Sequence, residues 1–181
     1  RMITTWQQRE RREGIVLKQL NYDVPVDDPV TLVRLYEQAI TPRTRVIHVS
    51  QVCFMTGQVF PVREICALAH AHKITSIVDG AHAFAHFPFV GRDLECDYYG
   101  TSLHKWLTAP VGTGFLYVRR EKIDSVLDFE LFARSSAVLG YLTGPAINLV
   151  PVTAANLIMA ELLSAFGGHS MFTPPVAIGL C

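Results

Sequence analysis

The chain has 181 residues, half of them hydrophobic and 18% charged, with 16 basic side chains against 16 acidic ones. That length and apolar content suit one domain with a real core, and they exclude a disordered chain, which needs low hydrophobicity and high net charge. Zero net charge argues against nucleic acid as the main partner, because neutralising phosphates takes a basic surplus. Cys53, Cys66, Cys96 and Cys181 form no CxxC pair, so reduced thiols in the cytoplasm are expected rather than a disulfide scaffold or a zinc site. The first residue is Arg1, not Met, so an upstream segment, targeting or otherwise, is allowed for.

In chain order, Thr4–Glu13 reads as a polar helix. Its arginines at positions 9, 11 and 12 are interleaved with Glu10 and Glu13, which fits a solvated face better than a nucleic-acid patch. Ile15–Leu20 reads as a short strand. Asp28-Pro29 has the form of an N-cap followed by Pro at the first helical position, opening a helix to about Ala39. Arg45–Ser50 is a β-rich run, and Pro61 opens a helix to about His72 whose apolar stripe is Ile65, Leu68 and Ala69. Ile74–Val78, Tyr98–Ser102 and Gly114–Val118 follow as strands. Strands alternating with helices predict an α/β domain with a mainly parallel sheet flanked by helices. Ligands in such sheets gather where strands end at their carboxyl side.

The composition changes at residue 135. Residues 1–134 hold 31 of the 32 charged side chains, and the remainder has only Glu161. Ser135–Ala160 is free of charge, which raises a membrane span, but Gly140, Gly144, Pro145, Asn148, Pro151 and Asn156 interrupt it. A buried helix over Thr153–Phe166, capped by Thr153 and stopped by Gly167-Gly168, is the plainer expectation, and a tail foreign to the native domain is a third. The chain is therefore divided into a segment 1–134 and an apolar, charge-poor tail 135–181, with no membrane association expected.

Two strand ends carry the chemistry. After Ile74–Val78 comes Asp79-Gly80-Ala81-His82, where the carboxylate is either an N-cap for a helix over 81–86 or the partner of a cation. After Tyr98–Ser102 comes Leu103-His104-Lys105-Trp106, whose lysine is either snorkelling past Trp106 or reactive. An aspartate facing a cationic heterocycle, with a lysine 26 positions later, is the arrangement that pyridoxal phosphate requires. Other motifs carry less. His82 and His86 share one helical face and suggest zinc only with His70 or His72, and Gly112-Thr113-Gly114 lacks the third glycine of a nucleotide loop and reads as a tight turn.

Several stretches together resemble the class V aminotransferases of the type I pyridoxal-phosphate fold, and most closely their isopenicillin N epimerase-like branch. They are Arg43–Ser50, Thr56-Gly57 with Pro61-Val62, Val78–His82, Asp97–Lys105 and Gly112–Val118, and the likeness extends over roughly residues 1–122. The resemblance implies a partial large domain of that fold. It makes Lys105 the Schiff-base lysine and the base at the substrate Cα, and Asp79 the partner of the pyridine nitrogen. By the same likeness His82 lies near the ring hydroxyl, Ser102 and His104 hold the phosphate, and Gln51 stands where relatives often have Asn. It further implies pyridoxal 5'-phosphate as cofactor, an amino acid or amino-acid-derived amine as substrate, and a homodimer for the complete protein. No metal site is expected. A partner-dependent scaffold that lacks the rest of the site, or a cysteine desulfurase-like lyase, are the alternatives.

Overall fold

In the computed structural model, residues 2–126, 150–151 and 176–179 are described. Helix α1 (Met2–Glu13) leads into strand β1 (Val16–Gln19), then α2 (Pro29–Ala39), β2 (Thr44–Ser50), α3 (Val62–Ala71) and β3 (Thr75–Asp79). A 3₁₀ turn at Gly91–Leu94 precedes β4 (Tyr98–Ser102), β5 (Thr113–Val118) and a second 3₁₀ stretch (Arg120–Val126), with β6 (Val150–Pro151) and β7 (Val176–Gly179) completing the sheet. The strand order is β1-β7-β2-β3-β4-β5-β6. β1, β7, β2, β3 and β4 run parallel, whereas at one side β5 pairs antiparallel with β4 and β6 antiparallel with β5. Both β6 and β7 lie beyond residue 134, so the apolar tail supplies strands to the same sheet.

The elements form where the local signals place them. Asp28 Oδ1 accepts from the Val30 N–H at 3.0 Å while Pro29 opens α2, so cap and proline act together at that start. Pro61 precedes α3 without any side-chain cap, its fixed φ setting the entry. Gly112 (φ +95°) makes the turn ahead of β5 with a backbone that favours glycine. The helix considered over 81–86 is absent. Those residues form consecutive turns, and Ala85 (φ +61°) takes a left-handed conformation that a helix does not accommodate. The helix expected over Thr153–Phe166 lies outside the described residues. Among the described residues, no helix is long and apolar enough to cross a membrane.

Alternation along the strands divides the core in two. Ile47, Val49, Val78 and Tyr99 face α2 and α3 and pack on Leu32, Tyr36, Ile65, Cys66 and Ala69. Val46, Ile77 and Tyr98 face the other way and pack on Trp6 of α1 and Ile15. Full burial of a side chain such as Ile65 or Leu32 contributes about 1.5–3 kcal/mol. Cys53, Cys66 and Cys96 are free and buried, and burial pushes the Cys66 thiol up to about 12 and the Cys96 thiol up to about 11.

The starting ends of β3 and β4 are pinned by one buried carboxylate. Asp97 Oδ2 accepts from the Ser76 N–H at 2.9 Å and the Ser76 hydroxyl at 3.3 Å, and the Asp97 N–H donates back to that hydroxyl at 2.9 Å. Oδ1 lies 3.5 Å from Arg119 Nε and 3.4 Å from His70 Nε2. Asp97→Ala is expected to cost about 1.5–3 kcal/mol, the range for losing hydrogen bonds to a charged group. Chemical denaturation of the two proteins side by side checks this, and an unchanged midpoint would contradict it.

Candidate active site

Residues 46, 48 and 50 of β2 and residues 77 and 79 of β3 share the α1 face of the sheet, because side chains alternate and Val49 pairs with Val78 in register. Asp79 therefore stands at the carboxyl end of β3 on that face, after four buried residues. Its Oδ1 accepts from the Ala81 N–H at 2.9 Å. That bond closes the turn after the strand and leaves the rest of the carboxylate to the space above. The backbone there is tied to its neighbours, since the Gln51 N–H donates to the Asp79 carbonyl and the Gly80 N–H to the Gly100 carbonyl, both at 2.8 Å.

The turns after Asp79 return His82 towards the loop that follows β4. Lys105 Nζ donates to His82 Nε2 at 2.8 Å. As an ammonium, Lys105 can only donate, so His82 carries its own proton on Nδ1. Burial lowers the Lys105 amine below its usual value against the pull of the Asp79 charge. Burial, and then the neighbouring Lys105 charge, lowers His82. Both are thus weakened bases. Trp106 stacks on His86, with ring centroids 3.8 Å apart and planes 6° from parallel.

Asp79, His82 and Lys105 line one cavity of about 520 Å³ together with His48, Ser50 and Trp6. Cys53 also borders it. Burial pushes that thiol up, but hydrogen bonds from the Thr56 hydroxyl and from the backbone at Met55 and Thr56 more than offset it, leaving the thiol below its ordinary value. Three of the six expected residues meet in this space. Ser102 ends β4 and His104 lies on the loop leading to Lys105, with His104 Nδ1 buried and unpartnered among the described residues. Gln51 is buried on the other side of the strand end, where its Oε1 accepts from the Tyr99 hydroxyl at 2.9 Å. His70 and His72 belong to the far end of α3, whose direction opposes the strands, so they do not approach His82 and His86. Among the described residues, no cluster of three or more side chains could hold a metal ion.

His48 and Trp6 are the wall residues that sequence reasoning passed over. The signal was an ionisable side chain inside the apolar run of β2, where an aliphatic residue would suit the strand as well.

The Aminotransferase class-V family matches residues 2–133, and the chain belongs to that family. It is 36% identical over 121 residues to an isopenicillin N epimerase of Streptomyces clavuligerus, covering 67% of this chain and 30% of that protein. A cysteine desulfurase of Synechococcus elongatus is 34% identical over 130 residues, covering 71% of this chain and 20% of that one. Among solved structures, the cysteine desulfurase CsdA of Escherichia coli superposes with a TM-score of 0.57 at 29% identity, over 64% of this chain and 28% of that chain. A variant of the cystine C-S lyase C-DES, with glycine covalently linked to its pyridoxal-phosphate cofactor, gives 0.60 at 28% identity, over 68% and 33%. The chain spans about 30% of the length of the isopenicillin N epimerases it matches. The fold is accordingly a partial large domain of the type I pyridoxal-phosphate transferases.

A Cβ at Gly80 would stand 1.9 Å from the Tyr99 hydroxyl and 2.0 Å from the ring carbon bearing it. Gly80→Ala is therefore expected to displace Tyr99 from Gln51 and to cost about 1–3 kcal/mol by overpacking, read as a lowered melting temperature. Separately, burial holds His48 and His82 below the ordinary histidine value. The unfolded chain thus takes up protons at higher pH than the folded one, so the stability tied to these rings is present above about pH 6.5 and lost as the pH falls through their folded values. Melting temperature is expected to drop between pH 7 and 5, and to drop less in His48→Gln; a flat profile would contradict this.

Proposed function

We propose that this chain provides the lysine and the ring-binding aspartate of a pyridoxal-phosphate-dependent enzyme that acts on an amino acid or an amino-acid-derived amine. The observation that carries the reading is the meeting of Asp79 and Lys105 in one cavity at the carboxyl ends of parallel strands, with Lys105 in hydrogen bond to His82. The residues suit the group: a carboxylate for a ring cation, a weakened amine for an aldehyde, and unpartnered buried nitrogens on His48 and His104.

When bound, pyridoxal phosphate supplies an aldehyde that captures amines and a protonated ring that draws electrons from the substrate Cα. Asp79 would hold the proton on the ring nitrogen by its charge. Lys105 would anchor the cofactor and, once displaced by a substrate amine, take the Cα proton at Nζ. Its lowered basicity raises the fraction of neutral amine available for both tasks. His82 receives the Nζ–H and fixes the direction of the amine. Ser102 and His104, just before Lys105, are proposed as phosphate donors, and Gln51 as a contact to the ring hydroxyl or substrate. The likeness to isopenicillin N epimerases supports an epimerase-type reaction for the whole protein. A homodimer in the cytoplasm belongs to the same proposal; the exposed apolar side chains of Phe54, Met55, Trp106 and Val111 support the homodimer.

The test is to add pyridoxal phosphate to the purified chain, reduce with borohydride and locate the adduct by peptide mass. An adduct on Lys105 that disappears in Lys105→Ala is the expected outcome. Asp79→Asn is expected to weaken retention of the cofactor about tenfold or more, in line with about 1.5–3 kcal/mol for a charged hydrogen bond. No adduct, or one scattered over Lys18, Lys73 and Lys122, would overturn the reading.

A further inference from the structure

His82 and His86 stand four residues apart, but residues 81–86 form turns rather than a helix, and the two rings go to different partners. His82 Nε2 meets Lys105 Nζ at 2.8 Å, while the His86 ring lies parallel to that of Trp106, the residue after the lysine. His86 Nδ1 is 3.0 Å from the His82 carbonyl. A carbonyl can only accept, so Nδ1 carries the proton and that bond fixes the plane of the imidazole. Trp106 is 47% exposed and His86 is exposed as well, so burial in a core does not hold the two rings together. What aligns them is the stack itself, whose geometry matters beyond the area it covers.

Four residues thereby close a circuit. It runs from the His82 carbonyl to the His86 imidazole, across the stack to Trp106, along one peptide bond to Lys105, and through Nζ back to His82 Nε2. Among the described residues, no backbone hydrogen bond joins residues 81–86 to residues 103–109. The first segment is bonded within itself and to Gly80, the second within itself and to Thr113 of β5. Side chains therefore do the joining. Both segments also leave relaxed backbone beside the ring pair: Ala85 (φ +61°) precedes His86, and Thr108 (φ +57°) lies two residues after Trp106. A left-handed residue other than glycine persists where the contacts around it over-determine its conformation.

We infer that His86 and Trp106 are positioning residues: their stacked rings clasp the turn bearing His82 to the loop bearing Lys105, and so keep Nζ within hydrogen-bond reach of His82 Nε2. The inference rests on the function proposed above, since that reading makes Lys105 the reactive amine. Neither ring borders the cavity, so both act through the pair that they align. The clasp narrows the directions open to Nζ before any ligand arrives.

The test uses the full chain without cofactor and reads Lys105 and His82 directly. Trace labelling with acetic anhydride across a range of pH, followed by peptide mass, gives the titration midpoint of Lys105, with Lys18, Lys73 and Lys122 as internal references. Long-range proton–nitrogen correlations on ¹⁵N-labelled histidine rings show which nitrogen of His82 holds the proton, its signals being assigned by their absence in His82→Gln. The parent is expected to hold His82 in the Nδ1–H form. Burial lowers the Lys105 amine, so a loop released into water regains basicity. Trp106→Ala and His86→Ala are each expected to raise the Lys105 midpoint by about half a pH unit or more, about a threefold loss of neutral amine at a given pH, and to turn His82 into a mixture of tautomers. Trp106→Phe keeps a ring to stack and is expected to keep both readings near those of the parent. The double alanine variant should move the midpoint no further than either single one, because the two rings make one contact. Should one alanine variant not fold, the other carries the comparison from the opposite loop. Parent-like readings in the alanine variants, a Trp106→Phe chain as disturbed as Trp106→Ala, additive shifts in the double variant, or a parent His82 in the Nε2–H form overturns the inference. The borohydride test is separate: if Lys105 takes up no cofactor while these variants behave as expected, the proposed function fails and the clasp stands.

Discussion

A carboxylate placed after four buried residues of a parallel strand has to be compensated, because an isolated charge in such surroundings is far more costly than any apolar contact nearby can offset. Asp79 is in that position, and much of its neighbourhood is arranged around it. The turn after β3 brings the Ala81 N–H to one oxygen, β2 places His48 on the same face, and the loop after β4 brings Lys105 into the same space. Gly80 has no side chain because Tyr99 fills the place where one would go. Each of these features is local in sequence, yet they meet only because β2, β3 and β4 are adjacent and parallel.

The two ends of those strands are treated differently. At the starting end, Asp97 is hydrogen-bonded by Ser76 and lies within ion-pair distance of Arg119 and His70. At the finishing end, Asp79 and Lys105 line open space, and the lysine's partner is another weakened base rather than the carboxylate itself. Fixing one end by a closed network frees the other to carry side chains with incomplete partners, the usual condition of a binding site in an α/β sheet.

Much of this was legible from the chain. The Asp28-Pro29 start of α2 and the bounds of β4 follow from capping chemistry and apolar runs. The spacing of Asp79 and Lys105 pointed to a shared site because one ended a strand and the other closely followed one. The helix considered over 81–86 did not form, since alternating Ala, Phe and His give no strong periodic stripe and the backbone turns back instead. Nor could local sequence show that Trp6 reaches His48, a pairing 42 residues apart that depends on how α1 lies across the sheet. The place of β7 was hidden for the same reason, as strand order is set by long-range pairing and not by propensity.

That place has a kinetic consequence. β7 lies between β1 and β2 and pairs with both, so β1 reaches the rest of the sheet through a segment that follows all the other strands in the chain. During synthesis β2, β3, β4 and β5, with α2 and α3 between them, can assemble while β1 still lacks its neighbour. α1 precedes β1 and carries Trp6, which walls the cavity. Pairing of β1 with the sheet is therefore among the later contacts to form, because it waits for β7. Until then the half-formed sheet leaves the edge of β2 unpaired, a surface on which chaperones or other chains can act before the sheet is complete.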